Sequence, residues 1–205
     1  MSMTTEQMDI ARKAKELYFR YGIKSVTMDD VARELGISKK TLYQHYSDKA
    51  ELVEASVLQE LAGAEKTIEA LIADCADAID EMLVIHKFMD KMARTHSYAA
   101  EYDLKKYYPA LYSKVIKVKR DSIYSIWKSN MEKGKQSGHY RMELNTEIIA
   151  KMNLLRVEST MDTCILTTEE LLSQDFFTEM FIYHIRGIGT PKGISRMEEL
   201  LILKQ

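Results

Sequence analysis

Apolar residues recur along this chain at three- and four-residue intervals, a spacing that lines them up on one side of successive α-helices. Ile10, Ala14, Leu17, Tyr18 and Tyr21 share one face of a helix predicted over residues 5–21, with Arg12, Lys13, Lys15 and Glu16 mostly outside it. Gly22 ends that helix, and Ile23 and Val26 lead into the next. Thr27 stands where an N-cap belongs, Asp30 follows three residues later as a capping-box acid, and Val31, Ala32 and Leu35 form the inner stripe of a short helix. Gly36 then falls at C′, where a left-handed backbone is needed and only Gly avoids a Cβ clash. Ile37 can plug the gap between two helices, Ser38 can cap the second, and Leu42 and Tyr46 at i, i+4 give it a buried face. The pattern is a helix-turn-helix. Its outer face keeps Lys39, Lys40, Tyr43 and Gln44, long polar or cationic side chains suited to base edges and phosphates in a major groove.

The rest of the chain repeats the helical period. Ser47-Asp-Lys-Ala-Glu reads as the cap and first turn of a fourth helix whose apolar positions run from Leu52 through Leu61 toward Leu71. Lys49 in that first turn adds its ammonium to the positive helix end, a combination that binds phosphate. A long helix from about Asp77 carries Ile79, Met82, Leu83, Ile85, His86, Met89 and Met92 and ends near Ser97, and a short one covers roughly Glu101 to Tyr108. Pro109 suits the first position of another, which runs through Val115, Ile123, Trp127 and Met131 until Gly134 and Gly138 stop it. Further helices are predicted over Asn145–Asp162, from a cap at Thr168 through Phe176, Phe181 and Ile185, and over Ser195–Leu203 after a Gly187–Gly193 loop. No strand is supported, so the expected fold class is all-α. A three-helix unit at residues 1–48 has a thin core and should lean on the next helix, and residues 49–205 form a larger helical domain.

Charge changes this picture only locally. The formal net charge is −2, but residues 1–50 hold nine Lys and Arg against seven acids, and the remainder holds twenty against twenty-four. That asymmetry has the sign nucleic-acid binding needs, and the cluster on the second short helix carries more weight than the total. Cys75 and Cys164 stand far apart, without metal-like or redox-like spacing, and read as small buried side chains in a reducing compartment. The N-terminus has no apolar signal-like run and no uncharged apolar stretch of 18 residues occurs, so a cytoplasmic protein that does not enter a membrane is expected.

Gly22, Thr27, Val31-Ala32, Leu35-Gly36-Ile37-Ser38, Thr41-Leu42-Tyr43, His45-Tyr46, Lys49 and Leu52 occur in one register, and over about the first quarter of its length the chain resembles the TetR family of bacterial transcriptional regulators. The resemblance implies base contacts from Lys39, Lys40 and Tyr43, and phosphate contacts from Thr27, Thr41, Gln44, His45 and Lys49, and Ser38 is expected in the same DNA-binding set. Many members carry a small residue or Gly where Lys40 stands, so Lys40 either reads a base or grips phosphate. It also implies a homodimer on double-stranded palindromic DNA, joined through the helices Thr146–Asp162 and Thr168–Arg186, and a small-molecule effector in the larger domain. The aromatic excess of Phe176, Phe177, Phe181 and Tyr183 on the second of those helices fits a helix that buries more than one side.

An adaptable apolar cavity between helices is suited by Phe88, Met89, Met92, His96, Tyr112, Tyr124, Trp127 and Met152. The expected function is a repressor released from its operator by a ligand. A constitutive DNA-binding protein of the same fold, or a carrier or enzyme on the helical scaffold, are the alternatives. His86, Asp90 and His96 could supply metal ligands, but exposed polar positions on an amphipathic helix explain them as well, and no cofactor is expected. The Gly187–Gly193 loop lacks the strand and the Gly-Lys-Ser/Thr ending of a phosphate loop, and no nucleophile, base and acid fall into a catalytic order.

Overall fold

The computed structural model describes residues 3–160 and 167–203, and every regular element among them is helical. In chain order they are α1 Thr5–Tyr21, α2 Met28–Leu35, α3 Lys39–His45, α4 Lys49–Ala73, α5 Ala78–Arg94, α6 Tyr98–Tyr107, α7 Pro109–Gln136, α8 Thr146–Thr160, α9 Thr168–Leu171, α10 Gln174–Ile188 and α11 Pro191–Leu203. Cys164, Met161 and Asp162 lie outside the described residues; Cys75 is half-buried, its thiol donating to the Leu71 carbonyl. Among the described residues no helix is long and apolar enough to cross a membrane.

The chain packs as two compact units, one of residues 1–66 and 96–119 and one of residues 67–95 and 120–205. In the first, Ile10, Ala14, Tyr18, Val31, Leu42, Tyr46 and Leu52 close over a core that α6 and α7 complete with Ala100, Leu104 and Val115. The thin three-helix core therefore gains apolar cover from three further helices, beyond the one neighbour that its size demands. Tyr21, expected on the inner face of α1, is exposed, because the helix turns its Ala11 side inward instead.

The second unit gathers Ile79, Met82, Ile85, Trp127, Met131, Tyr140, Phe181 and Ile185. Part of its polar interior is paired: Asn130 Nδ2 donates to the Ala78 carbonyl at 2.9 Å, and the Tyr140 hydroxyl donates to Asn130 Oδ1, also at 2.9 Å. Gly134 does not stop α7. It lies inside the helix, and a Cβ there would come within 1.9 Å of the Tyr140 ring, so its smallness admits Tyr140 to the core. The turn comes later, at Gly138. The helix expected from Thr168 is interrupted: Thr167 caps the single turn of α9 by accepting the Glu170 N–H, and Ser173 starts α10 afresh by accepting from Phe176. The Gly187–Gly193 stretch is mostly the end of α10 and the start of α11, with an isolated antiparallel bridge between Tyr140 and Gly189.

Candidate nucleic-acid interface

Local chemistry builds the outward helix. The Thr27 hydroxyl accepts the Asp30 N–H at 3.2 Å while the Asp30 carboxylate accepts the Thr27 N–H at 2.9 Å, which fixes the start of α2 and holds the Asp30 carboxyl below its usual range. Gly36 ends α2 at φ 66, in the left-handed region, and its N–H closes on the preceding turn. Ser38 Oγ then accepts the Thr41 N–H at 3.0 Å and begins α3. Leu42 is fully buried and Tyr46 nearly so. The Tyr46 hydroxyl donates to the Gln7 carbonyl at 2.7 Å, while Gln7 Nε2 donates to the His45 carbonyl at 3.1 Å. These two bonds clamp the end of α3 to the start of α1. Burial pushes the Tyr46 phenol up to about 12.

With Leu42 and Tyr46 inward, helical geometry turns Lys39, Lys40, Tyr43 and Gln44 to solvent, and all four are exposed, Tyr43 at 42%. Lys39 is not idle there: its ammonium lies 2.9 Å from the Asp29 carboxylate of α2, which raises its pKa. Lys40 has no ion-pair partner among the described residues. Thr41 and His45 are half-buried; the Thr41 hydroxyl shares a 2.7 Å hydrogen bond with Ser38, and His45 Nε2 faces Glu6 at 3.4 Å. Thr27 is exposed at the edge of the same unit.

At the start of α4, the Ser47 and Glu51 amides are taken by the Glu51 and Asp48 carboxylates, at 2.6 and 2.9 Å. A phosphate at this end would therefore be held chiefly by the Lys49 ammonium, whose Nζ now donates to the Lys24 carbonyl at 3.3 Å. Partial burial lowers the Lys49 pKa, and Asp103 and Asp30 work against that shift. Sequence reasoning missed Asp29 and Gln7. Neither has a signal in its spacing, since their partners are 10 and 38 residues away.

The residues expected around an effector are divided. A cavity of about 100 Å³ opens within the first unit among α1, α4, α6 and α7, lined mainly by apolar side chains such as Tyr18, Phe19, Leu61 and Ile116 and also by the charged Lys15, Glu60, Glu101 and Lys119. Of the eight expected residues, His96 and Tyr112 line it. They meet at Glu101, which faces His96 Nε2 at 2.5 Å and accepts the Tyr112 hydroxyl at 3.1 Å, and these contacts lower the Glu101 pKa. The Tyr18 hydroxyl is buried with no hydrogen-bond partner among the described residues. Trp127 is buried in the second unit instead, and half-buried Phe88, Met89 and Tyr124 pack against that core; Met92 is also half-buried, and Met152 is 59% exposed.

His86 corrects the sequence reading. It is buried rather than on a polar face, edge-on to Trp127 at 5.7 Å and to Phe181 at 5.3 Å, with His184 at 6.2 Å. Asp90 pairs with Arg94 at 2.6 Å, and no group of three metal-ligating side chains occurs among the described residues.

Residues 10–56 match the family of bacterial regulatory proteins described as the tetR family. The chain is also similar to an HTH-type transcriptional regulator of Bacillus subtilis, YvaF, with 58% identity over 38 residues, which span 18% of this chain and 20% of that protein. Among solved structures, a transcriptional regulator from Cytophaga hutchinsonii superposes with a TM-score of 0.78 at 17% identity, covering 91% of this chain and 100% of that one. The fatty acid degradation regulator FadR from Bacillus halodurans superposes with a TM-score of 0.64 at 15% identity, covering 88% and 96%. At such identities these two likenesses establish a shared fold.

Proposed function

We propose that the chain, whose residues 10–56 match the TetR family of bacterial transcriptional regulators, is a dimeric repressor whose hold on a palindromic operator is released by a small apolar ligand. The observation that carries the reading is α3 itself, pinned by buried Leu42 and Tyr46 so that Lys39, Lys40, Tyr43 and Gln44 stand outward together. Lys39 and Tyr43 would read base edges, with Lys39 exchanging Asp29 for a purine acceptor, while Thr27, Gln44, His45 and Lys49 hold phosphates and Lys40 serves either role. Thr41 and Ser38 keep the helix start in shape.

One such helix reads only a few base pairs, so two copies are needed for operator affinity. The exposed apolar stripe Ile148, Met152 and Leu155 on α8, with Tyr183 on α10, supports a symmetric pairing through these helices. The cavity among α1, α4, α6 and α7 supports the effector, because α4 begins at Lys49 and α1 anchors the end of α3. A ligand wedged there would favour a disposition of α3 that no longer matches the groove, with a coupling on the order of 1–3 kcal/mol.

The test is selection of bound sequences from random duplex DNA, followed by affinity measurements against a metabolite panel. Recovery of a palindrome whose binding falls at least tenfold with one apolar metabolite is the expected outcome. Unchanged affinity across the panel would leave a constitutive DNA-binding protein, and an absence of any enriched sequence would remove the reading.

A further inference from the structure

We propose that the DNA-contacting surface continues past Lys49, over the α1–α2 turn and onto α6, where Lys24 and Lys106 are held by tyrosine rings as ligands for the phosphates flanking each half-site. The inference rests on the DNA-binding reading above. The Lys49 ammonium donates to the Lys24 carbonyl at 3.3 Å, so the two residues are neighbours on one surface. The Lys24 ammonium lies over the Tyr107 ring, 5.4 Å from its centre, and Lys106 Nζ reaches the same ring at 5.5 Å. Lys106 also lies 5.3 Å from the Tyr102 ring and donates to the Tyr102 hydroxyl at 3.1 Å. The strip Lys49, Lys24, Tyr107, Lys106, Tyr102 is therefore continuous.

Two features give the strip an affinity for polyanions. The first is the fate of its acids. Asp103 accepts the Lys24 N–H at 2.7 Å, Asp30 is held in the Thr27 capping box, Asp48 accepts the Glu51 N–H, and Glu101 is engaged by His96 and Tyr112. Each of these carboxylates caps a main-chain amide or answers another side chain, whereas the ammonium groups of Lys24 and Lys106 lie within no ion pair among the described residues. The second is the rings. Tyr102 is 60% exposed and Tyr107 40%, apolar area that the folded chain does not bury. A ring face attracts an ammonium and biases a flexible lysine toward it. A carboxylate partner would offset the charge in part, as Asp29 does for Lys39; a ring leaves it in place. A restricted, uncancelled cation loses less freedom on meeting a phosphate. Continuity with Lys49 identifies the phosphates as those of the same duplex.

The experiment measures binding of the full chain to its selected operator, either trimmed at the outer edges of the half-sites or extended by about six base pairs on each side, over a range of salt. The double variant K24Q/K106Q removes two charges per protomer, four per dimer, without touching a buried residue. On the extended duplex the slope of log affinity against log salt should flatten by about 3 to 4 units, near 0.9 for each lost contact, with affinity at least tenfold weaker. On the trimmed duplex wild type and variant should bind alike, and base preference should not change. An unaltered slope on the extended duplex overturns the proposal, as does an equal loss on both duplexes. Failure of the wild-type chain to bind any duplex would instead remove the DNA reading on which the proposal stands.

Discussion

Acid should destabilise this protein well before its carboxylates titrate, and His86 sets the magnitude. Its ring is enclosed by Trp127, Phe181 and His184, Nε2 has no hydrogen-bond partner among the described residues, and the Arg156 charge lies near. Burial first, and Arg156 second, depress its pKa from 6.5 to about 3. The unfolded chain therefore takes up a proton near pH 6.5 that the folded chain refuses until about pH 3. The corresponding stability is complete above pH 6.5 and is lost as the pH falls through that window. At pH 5 the loss from His86 is about 2 kcal/mol, and His184, whose pKa is lowered by burial first and then by His86 and Arg156, adds to it in the same direction. Asp77 and Glu101, held below their usual range, lose their contribution only under more acidic conditions, so the interval from pH 7.5 to 5 isolates the histidines. Urea unfolding at fixed protein concentration, followed through the fluorescence of the single tryptophan, Trp127, reads the effect beside its source. The ring-conserving variant His86→Phe should flatten the pH dependence by about 2 kcal/mol over this interval. A variant that follows the wild-type decline point for point would refute the assignment.

Other consequences are checked more simply. Lys39→Ala and Tyr43→Ala should change which operator sequences are preferred, whereas Lys49→Ala should weaken all sequences alike and flatten the salt slope by about one unit per protomer; a uniform loss for all three would contradict the division between base and phosphate contacts. Gly134→Ala should lower stability by at least about 1–3 kcal/mol, because its Cβ would overlap the Tyr140 ring, and an unchanged thermal midpoint would disprove that packing. The pair Met152→Glu and Leu155→Glu should yield monomers by sedimentation and lose operator affinity while the helical signal persists; a dimer that survives both charges would place the interface elsewhere.

What the sequence revealed and what it hid separate by the range of the forces involved. The Thr27–Asp30 box, the left-handed turn at Gly36 and the Ser38 cap are settled within three or four residues, and each stands where its spacing places it. Once Leu42 and Tyr46 are recognised as the buried side of α3, helical geometry alone turns Lys39 and Tyr43 outward. Positions whose meaning depends on a distant neighbour were misread. Gly134 looks like a helix stop until Tyr140 is seen to fill the space beside it, and His86 looks like a polar-face residue until Trp127, Phe181 and His184 enclose it. The division of the expected effector residues has the same origin: composition shows that Met and aromatic side chains abound, but only the meeting of α1, α4, α6 and α7 decides that Tyr112 borders a cavity, and only the packing of Ile79, Met82 and Phe181 decides that Trp127 is core.

Asp29 shows how such a long-range contact bears on function. The angle between α2 and α3 brings its carboxylate to Lys39. The charge of Lys39 on the outward helix is thus partly offset, and a ligand with better geometry would have to displace Asp29. A loose phosphate encounter offers the lysine only another single anionic oxygen, which roughly replaces what it leaves. A guanine edge presents two acceptors in the groove, and in the proposed complex the neighbouring phosphates would be held by Lys49, whose ammonium lies beside the α1–α2 turn. On the proposed operator the internal ion pair would therefore weaken random association more than the specific complex, and part of the discrimination would come from Asp29, an acid on the neighbouring helix.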